Sequence, residues 1–283
     1  MTTNAITRFA PSPTGRLHLG HAWSAMLAHD MAREQGGQFV LRIEDIDQTR
    51  CRPELVDAIF EDLRWLGLDW DGAAMIQSQR MPAYADALGR LDTLGLLYRC
   101  TCTRADIANA ASAPQAPMEA LYPGTCRDRQ IAADCPFPWS WRLDVSKAMA
   151  VTGPLVWHDE AAGSVTAISQ APGDVILARK DAGTSYHLAV TVDDAAQEIT
   201  DIVRGRDLFA STHIHRLLQE LLGFPTPRYH HHKLLTGSDG ERLAKRKAAP
   251  TLASFRAGGM DGVKLASLMR EQRFPIGFAL EEA

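Results

Sequence analysis

The sequence predicts an α/β protein that is built on a parallel sheet. An apolar strand at residues 6–10 precedes a helix, and a second strand, dense in β-branched and aromatic residues, follows at 38–45. A strand–helix–strand order of this kind forms a βαβ unit with two parallel strands. Apolar residues recur at helical spacing between the two strands: Leu19, Ala22, Trp23, Met26, Leu27 and Met31.

Composition limits the class of protein. The chain has 283 residues, 46% of them hydrophobic and 23% charged, as expected for a globular protein with a substantial core. Its net charge of −4 provides no global attraction to nucleic acid, so contact with RNA requires a local patch. No apolar signal segment or membrane-length run is visible, and we expect a cytoplasmic protein with no membrane contact.

The connection between the first strand and the first helix suits a phosphate group. Prolines at 11 and 13 end the strand, a Thr-Gly turn follows, and the helix begins near Leu17 or His18. His18, Gly20 and His21 therefore fall on the first helical turn, where unpaired N–H groups and the positive end of the helix dipole favour anions. The residues alone leave open an ordinary connection with both histidines in solvent.

Acidic residues follow the second strand. Glu44, Asp45 and Asp47 lie at its carboxyl end, the edge of a parallel sheet where ligands bind. Glu44 is therefore placed to meet a substrate amine or a ribose. A solvated acidic loop is the alternative.

The remaining elements are predicted from periodicity and turn residues. We expect helices from Pro53 to Gly67 and around Tyr84, and one from a Ser211 cap to Gly223. We expect strands at 141–145, 175–179, 185–192 (capped by Asp193 and Asp194), 198–208 (a strand that runs into a polar turn) and 229–232.

Cysteines indicate a metal site. Cys100 and Cys102 are one residue apart, and Cys126 returns from a later turn, so three thiolates can face one ion. An odd number of cysteines in a reducing compartment favours a metal over disulfides. Tetrahedral zinc needs a fourth ligand, for which Tyr122 is the candidate and Cys135 an alternative. Three inert cysteines remain the other interpretation.

Two arginines are candidates for binding a carboxylate. Arg8 and Arg204 both follow apolar strand residues, and the planar guanidinium matches a carboxylate with two hydrogen bonds. Taken singly, either could be a surface arginine. The histidines at 230–232 alternate faces on a strand, and we interpret them as non-ligands.

Several segments resemble one known family. Residues 8–21, Arg-Phe-Ala-Pro-Ser-Pro-Thr-Gly-Arg-Leu-His-Leu-Gly-His, resemble the HIGH segment of class I aminoacyl-tRNA synthetases, and their opening resembles the glutamyl branch. Leu-Arg-Ile-Glu-Asp-Ile-Asp at 41–47, Tyr-His-Leu-Ala-Val at 186–190 and Ile-Val-Arg-Gly at 202–205 resemble the same branch. Residues 241–247 resemble its KMSKS loop, although Arg242 replaces the first lysine and Ala244 the serine.

The resemblance covers essentially the whole chain and implies its organisation. We expect a Rossmann-like class I synthetase catalytic domain with an inserted zinc-binding subdomain and a short helical C-terminal part. The implied segments are 1–98 (first half of the catalytic domain), 99–175 (insertion with the zinc site), 176–235 (second half) and 236–283 (KMSKS-like loop and C-terminal helical segment).

The resemblance also implies roles for individual residues. Glutamate would be bound by Arg8, Phe9, Ala10, Pro11, Ser12, Glu44, Tyr186 and Arg204. Glu44 would hold the amino group and Arg8 the side-chain carboxylate. ATP, a substrate that brings Mg²⁺, would be bound by His18, Gly20, His21 and Lys245. The catalytic residues would be His18, His21 and Lys245, which stabilise the phosphates. Structural zinc would be held by Cys100, Cys102, Tyr122 and Cys126.

The length of the chain refines the implied function. Residues 248–283 leave no room for the long anticodon-binding region of full glutamyl-tRNA synthetases. This implies the paralogous group that activates glutamate and transfers it to the queuosine base at the wobble position of tRNA(Asp). Its partners would be L-glutamate, ATP and that tRNA, and we expect a monomer. A shortened glutamyl-tRNA synthetase charging the 3′ end of tRNA(Glu), and a non-catalytic synthetase-like module, are the alternatives.

Overall fold

The N-terminal part of the molecule is the predicted βαβ unit. Strand β1 (Ile6–Phe9) pairs parallel with β2 (Gln38–Ile43), and helix α1 (Leu19–Glu34) connects them. The short strand β3 (Met75–Ile76) continues the sheet beside β2. The computed structural model describes residues 4–103, 106–107, 122, 124–132, 134–167, 173–237, 243 and 250–281.

The other elements complete an α/β fold, as the sequence predicts. The helices are α2 (Pro53–Trp65), α3 (Met81–Thr93), α4 (Val145–Thr152), α5 (Tyr186–Ala196), α6 (Ser211–Leu222), α7 (Leu252–Ala257) and α8 (Gly262–Arg270). The strands are β4 (Leu97–Cys100), β5 (Ser140–Leu143), β6 (Val156–Asp159), β7 (Gly163–Thr166), β8 (Ile176–Ala178), β9 (Asp201–Gly205), β10 (Arg228–His232), β11 (Leu235–Gly237) and β12 (Phe278–Leu280).

The sheet that contains β1 meets a second, mixed sheet where β1 lies beside β9. The second sheet has the strand order β7-β6-β10-β9, in which β10 runs parallel to both neighbours. The Thr200 amide donates to the Ile6 carbonyl at 3.0 Å, and the Ile6 amide donates to the Thr200 hydroxyl at 2.8 Å. This junction brings the carboxyl ends of β1, β2 and β9 together, which is the edge where α/β sheets bind ligands.

Strand pairing also crosses the segment boundaries expected from the sequence. Strands β4, β5 and β8 form an antiparallel sheet, while β6 and β7 join β10. The boundaries themselves stay a prediction. No helix within the described ranges is long and apolar enough to cross a membrane.

Three local predictions are wrong. Residues 186–196 form helix α5 rather than a strand, and Asp193 and Asp194 lie inside that helix rather than capping a strand. Ser211 is the first residue of α6, whose N-cap is Ala210 and makes no side-chain capping bond. The C-terminal segment, which was expected to be helical only, contains two helices and also a strand, β12, that pairs antiparallel with β11.

The error at α5 has a physical cause. Every residue from Leu188 to Asp194 is buried, including Thr191 and both aspartates, so this part of the helix has no solvent-exposed face and shows no helical periodicity. A short, continuous apolar run of this kind is indistinguishable from a buried strand by pattern alone.

Candidate active site

A cleft of about 490 Å³ opens at the junction of β1, β2 and β9. Eleven of the twelve residues predicted to bind glutamate or ATP line it: Arg8, Phe9, Ala10, Pro11, Ser12, His18, Gly20, His21, Glu44, Tyr186 and Arg204. The twelfth, Lys245, lies outside the described residues, as do Arg242 and Ala244. Ser24, Asp207 and Leu235 also line the cleft and were not predicted.

The rings of His18 and His21 lie against each other at the start of α1, with an angle of 33° between their planes. His18 is the N-cap, and its Nδ1 accepts a hydrogen bond from the Gly20 amide at 3.1 Å. His21 Nδ1 accepts from the His18 amide at 3.1 Å, and the two ring centroids are 3.8 Å apart. A Cβ at position 20 would lie 3.0 Å from the His18 ring, which favours glycine there.

These bonds fix the chemistry of both imidazoles. Burial lowers the pKa of His18 to about 4, and burial together with His18 lowers the pKa of His21 to about 3. Both rings are therefore neutral at neutral pH. Because each Nδ1 accepts a backbone hydrogen bond, the proton of each neutral ring is on Nε2. The pair can thus offer two N–H donors beside the amide groups of a helix N-terminus.

Glu44 lies in a buried network of charges. Its Oε1 is 3.5 Å from Arg42 Nε, and Arg42 Nη2 donates to Asp194 Oδ1 at 2.8 Å. Burial raises the pKa of Glu44 to about 7, against the influence of Arg42 and Arg8. Among the described residues, Glu44 Oε1 has no hydrogen-bond partner. A buried acceptor without a donor is costly, so this oxygen suits an ammonium or hydroxyl group of a ligand.

Arg8 shares Asp194 with Arg42. Its Nε donates to Asp194 Oδ1 at 3.1 Å, and its Nη1 donates to the Val203 carbonyl at 3.2 Å. Within the described part of the chain, Nη2 of Arg8 has no partner. Since these bonds fix the guanidinium plane, Nη2 is a preorganised donor at the cleft wall.

Arg204 is held by neutral acceptors. Its Nε donates to His231 Nε2 at 3.1 Å, its Nη1 to His215 Nδ1 at 3.2 Å, and its Nη2 to the Thr212 hydroxyl at 2.5 Å. Burial lowers the pKa of His231 to about 4 and that of His215 well below its usual range. These acceptors do not neutralise the guanidinium, which therefore keeps its full charge for an anion in the cleft.

Tyr186 is the first residue of α5 and lines the same cleft. Its ring lies 5.5 Å from that of His215, which itself accepts from Arg204. Burial raises the pKa of Tyr186, so its hydroxyl stays protonated and is available as a donor.

The predicted metal ligands also come together. The three Sγ atoms of Cys100, Cys102 and Cys126 lie within 4.8 Å of one another. Tyr122 Oη is 3.3 Å from Cys100 Sγ and 3.9 Å from Cys102 Sγ. Zinc–sulfur bonds of about 2.3 Å place tetrahedral ligands about 3.8 Å apart, so this donor set fits the ion. Cys135 is not in this group and lines a surface cleft instead.

Comparison with known proteins identifies the family of the chain. Residues 4–266 match the family model described as the catalytic domain of class I tRNA synthetases (E and Q). A glutamyl-Q tRNA(Asp) synthetase of Rhodobacter capsulatus is 50% identical over 278 residues, which cover 93% of this chain and 99% of that protein. One from Symbiobacterium thermophilum is 44% identical over 268 residues, covering 89% and 81% respectively.

A solved structure shows the same fold. The glutamate tRNA ligase of Elizabethkingia meningosepticum in complex with its amino acid superposes with a TM-score of 0.70 at 25% identity. The match covers 91% of this chain but only 54% of the ligase, so the chain spans about half of that protein's length.

The chain therefore belongs to the class I tRNA synthetases, in the branch that comprises the E and Q enzymes, and is an aminoacyl-tRNA synthetase-like ligase. Within that branch it belongs with the glutamyl-Q tRNA(Asp) synthetases.

Proposed function

We propose that the cleft activates L-glutamate with ATP and that the glutamyl group then passes to the queuosine base at the wobble position of tRNA(Asp). The glutamate part rests on one observation: two arginines line the same cleft as a carboxylate oxygen that has no hydrogen-bond partner among the described residues. Glutamate carries two carboxylates and one ammonium group, so its charges equal these three groups in number and are opposite to them in sign.

Each charge of glutamate has a candidate partner. Glu44 Oε1 accepts from the ammonium group, since it has no hydrogen-bond partner among the described residues. Arg204 and Arg8 Nη2 bind the two carboxylates, because charge-assisted pairs with arginine are the strongest hydrogen bonds available in a cleft of this kind. Arg8 binds the side-chain carboxylate. Tyr186 and the backbone of residues 9–12 complete the wall around the substrate.

Activation needs positioning and charge stabilisation rather than a covalent enzyme nucleophile. An oxygen of the glutamate α-carboxylate attacks the α-phosphorus of ATP, the new P–O bond forms, and pyrophosphate leaves with the electrons of the broken bond. The Nε2–H groups of His18 and His21, beside the first amides of α1, stabilise the phosphate charge. Mg²⁺ enters as part of the ATP substrate.

Lys245 is proposed to complete the phosphate site. Described residues on both sides support this role: Leu243 lines the cleft, and Thr251 forms a backbone bridge with His18. A cation near the triphosphate neutralises charge that develops on the leaving pyrophosphate.

Zinc is proposed for the cysteine site. Cys100, Cys102, Cys126 and Tyr122 would hold it, and it would join the two chain segments that contribute ligands. None of these four zinc-binding residues lines the substrate cleft, so the zinc site has a structural role.

The acceptor is supported by the relatives named above, whose names specify tRNA(Asp) and the Q nucleoside. The test is nuclease mapping after transfer of labelled glutamate to tRNA(Asp) that carries queuosine, with the same tRNA lacking queuosine as the control. We expect label in the anticodon fragment of the first tRNA and none in the control. Label confined to the terminal adenosine would contradict the proposal and favour a shortened glutamyl-tRNA synthetase.

A further inference from the structure

Asp159 and His231 form a buried pair of side chains that reaches Arg204 through His231. Asp159 ends β6, and His231 lies on the neighbouring strand β10. Asp159 Oδ2 is 2.7 Å from His231 Nδ1, and His231 Nε2 is 3.1 Å from Arg204 Nε. Both side chains of the pair are only 2% exposed. Neither residue lines the cleft, so substrate does not reach them.

The hydrogen bonds of this pair determine the tautomer of His231. Asp159 Oδ1 accepts from the amides of Ala161 and Ala162 at 3.1 and 2.9 Å. These bonds and His231 hold the pKa of Asp159 below its usual value despite burial, so the carboxylate only accepts. His231 must therefore place its proton on Nδ1, facing Asp159. Its Nε2 is left as an acceptor for the N–H of Arg204 Nε.

Placing a neutral histidine between the two charges has a functional advantage. A carboxylate in direct contact with Arg204 would fix the guanidinium but would also neutralise it and compete with a substrate carboxylate. The neutral imidazole of His231 orients the Arg204 guanidinium without neutralising its charge. The other two nitrogens also bind neutral acceptors: Nη1 donates to His215, and Nη2 donates to Thr212 and to the Leu208 carbonyl.

We propose that Asp159 and His231 are positioning residues for substrate binding: Asp159 fixes the His231 tautomer, and His231 fixes Arg204, whose second Nη1 N–H, the one without a partner among the described residues, is left for the substrate. This inference rests on the proposed function, in which the carboxylate that Arg204 binds belongs to glutamate. The sequence gives no sign of the pair, because the two residues are 72 positions apart.

The substitution Asp159→Asn tests the tautomer directly. We expect the asparagine oxygen to take the Oδ1 position, since two backbone amides donate there at 3.1 and 2.9 Å, whereas only the His231 amide, at 3.3 Å, donates to the Oδ2 position. Its NH₂ group then faces His231 Nδ1 and donates to it, which moves the imidazole proton to Nε2. The N–H of His231 Nε2 then faces the N–H of Arg204 Nε, and two donors cannot form a hydrogen bond. We expect the glutamate KM in ATP–pyrophosphate exchange to rise about tenfold or more, with a smaller change in kcat and an unchanged ATP KM.

Asp201→Asn is the matched control. Asp201 is equally buried, and its Oδ1 lies 2.8 Å from His230 Nε2, on the adjacent residue of the same strand. Strand alternation directs this pair away from Arg204. We expect Asp201→Asn to leave the glutamate KM unchanged, even where thermal denaturation shows that both variants have lost a similar amount of stability.

A second measurement does not depend on enzymatic activity. Histidine-selective ¹⁵N NMR reports which ring nitrogen bears the proton. We expect His231 to be protonated on Nδ1 in the wild type and on Nε2 in Asp159→Asn.

A wild-type protein with this tautomer but no glutamate-dependent exchange would refute the proposed function and, with it, the substrate-positioning role. Three results would overturn this inference and leave the proposed function intact. They are an active wild type with His231 protonated on Nε2, an unchanged glutamate KM in Asp159→Asn, and equal increases of the glutamate KM in Asp159→Asn and Asp201→Asn.

Discussion

Arg42 Nε and Glu44 Oε1 lie 3.5 Å apart, and both side chains are almost completely buried. Arg42 divides its charge between Glu44 and Asp194, to which its Nη2 donates at 2.8 Å. Burial therefore still raises the pKa of Glu44 to about 7. The result is a carboxylate that is oriented by a fixed cation and retains the capacity to accept from a second one.

Glutamate binding should depend on pH through Glu44. In the free enzyme the carboxyl group is protonated below about pH 7, where it loses its attraction for the ammonium group of the substrate. We expect kcat/KM for glutamate to fall as the pH decreases through 7, because this ratio reports groups of the free enzyme. His18 and His21 do not interfere, since their pKa values are about 4 and 3.

Glu44→Gln provides the control for this pH profile. The variant is isosteric and has no charge to lose, so its kcat/KM should be low and should lack the decrease around pH 7. A profile that keeps the same midpoint in Glu44→Gln would assign the titration to a different group.

Arg204→Ala should weaken glutamate binding. Removing a charge-assisted pair costs about 1.5–3 kcal/mol, which corresponds to an increase in the glutamate KM of roughly 10- to 100-fold. Arg216→Ala is the comparison, because Arg216 lies on α6 and pairs with Glu220 near the surface. An unchanged glutamate KM in Arg204→Ala would exclude Arg204 as a carboxylate ligand.

His18 has two roles that substitution can separate. His18→Ala removes the N-cap of α1 and the Nε2–H donor, so both stability and kcat should fall, with kcat lower by about 10²–10³-fold. His18→Asn restores a capping acceptor but not the donor. We expect its melting temperature to recover while kcat stays low. Recovery of both quantities would show that His18 acts only as a cap.

Cys102→Ser should lose bound zinc and loosen the segments that Cys100, Cys102 and Cys126 connect. Metal analysis and limited proteolysis measure the two effects. Cys135→Ser is the control, since Cys135 lies outside this group, and it should keep a full complement of zinc. The opposite pattern of metal content would identify Cys135 as a ligand.

Local sequence signals were sufficient for the parts of the fold with clear periodicity. The βαβ unit from Ile6 to Ile43 has two apolar strands and an amphipathic helix, and the structure agrees with each of them. Helix α5 is buried on every side from Leu188 to Asp194. Tertiary packing, which the sequence pattern does not encode, therefore decides that this stretch is a helix rather than a strand. Strand β12 pairs with β11, more than 40 positions earlier, and has no local signal.

The residues that face the ligand were predicted from the sequence because they belong to recognisable motifs. The residues that hold them were missed, because their partners are distant in sequence. Asp194 contacts Arg8 and Arg42 from helix α5, and His231 contacts Arg204 from the next strand of the sheet. One clue was available: alternation of the three histidines on β10 implies that His231 faces a different environment from His230.

Glutamate-dependent ATP–pyrophosphate exchange, measured in the absence of tRNA, tests the central claim most directly. The cleft described here provides partners for both carboxylates and the ammonium group of glutamate without an additional macromolecule, so we expect exchange with glutamate and none with glutamine. Exchange that begins only when tRNA is added would favour a shortened glutamyl-tRNA synthetase. No exchange by the folded, zinc-loaded protein, with or without tRNA, would contradict the proposal that this cleft activates glutamate.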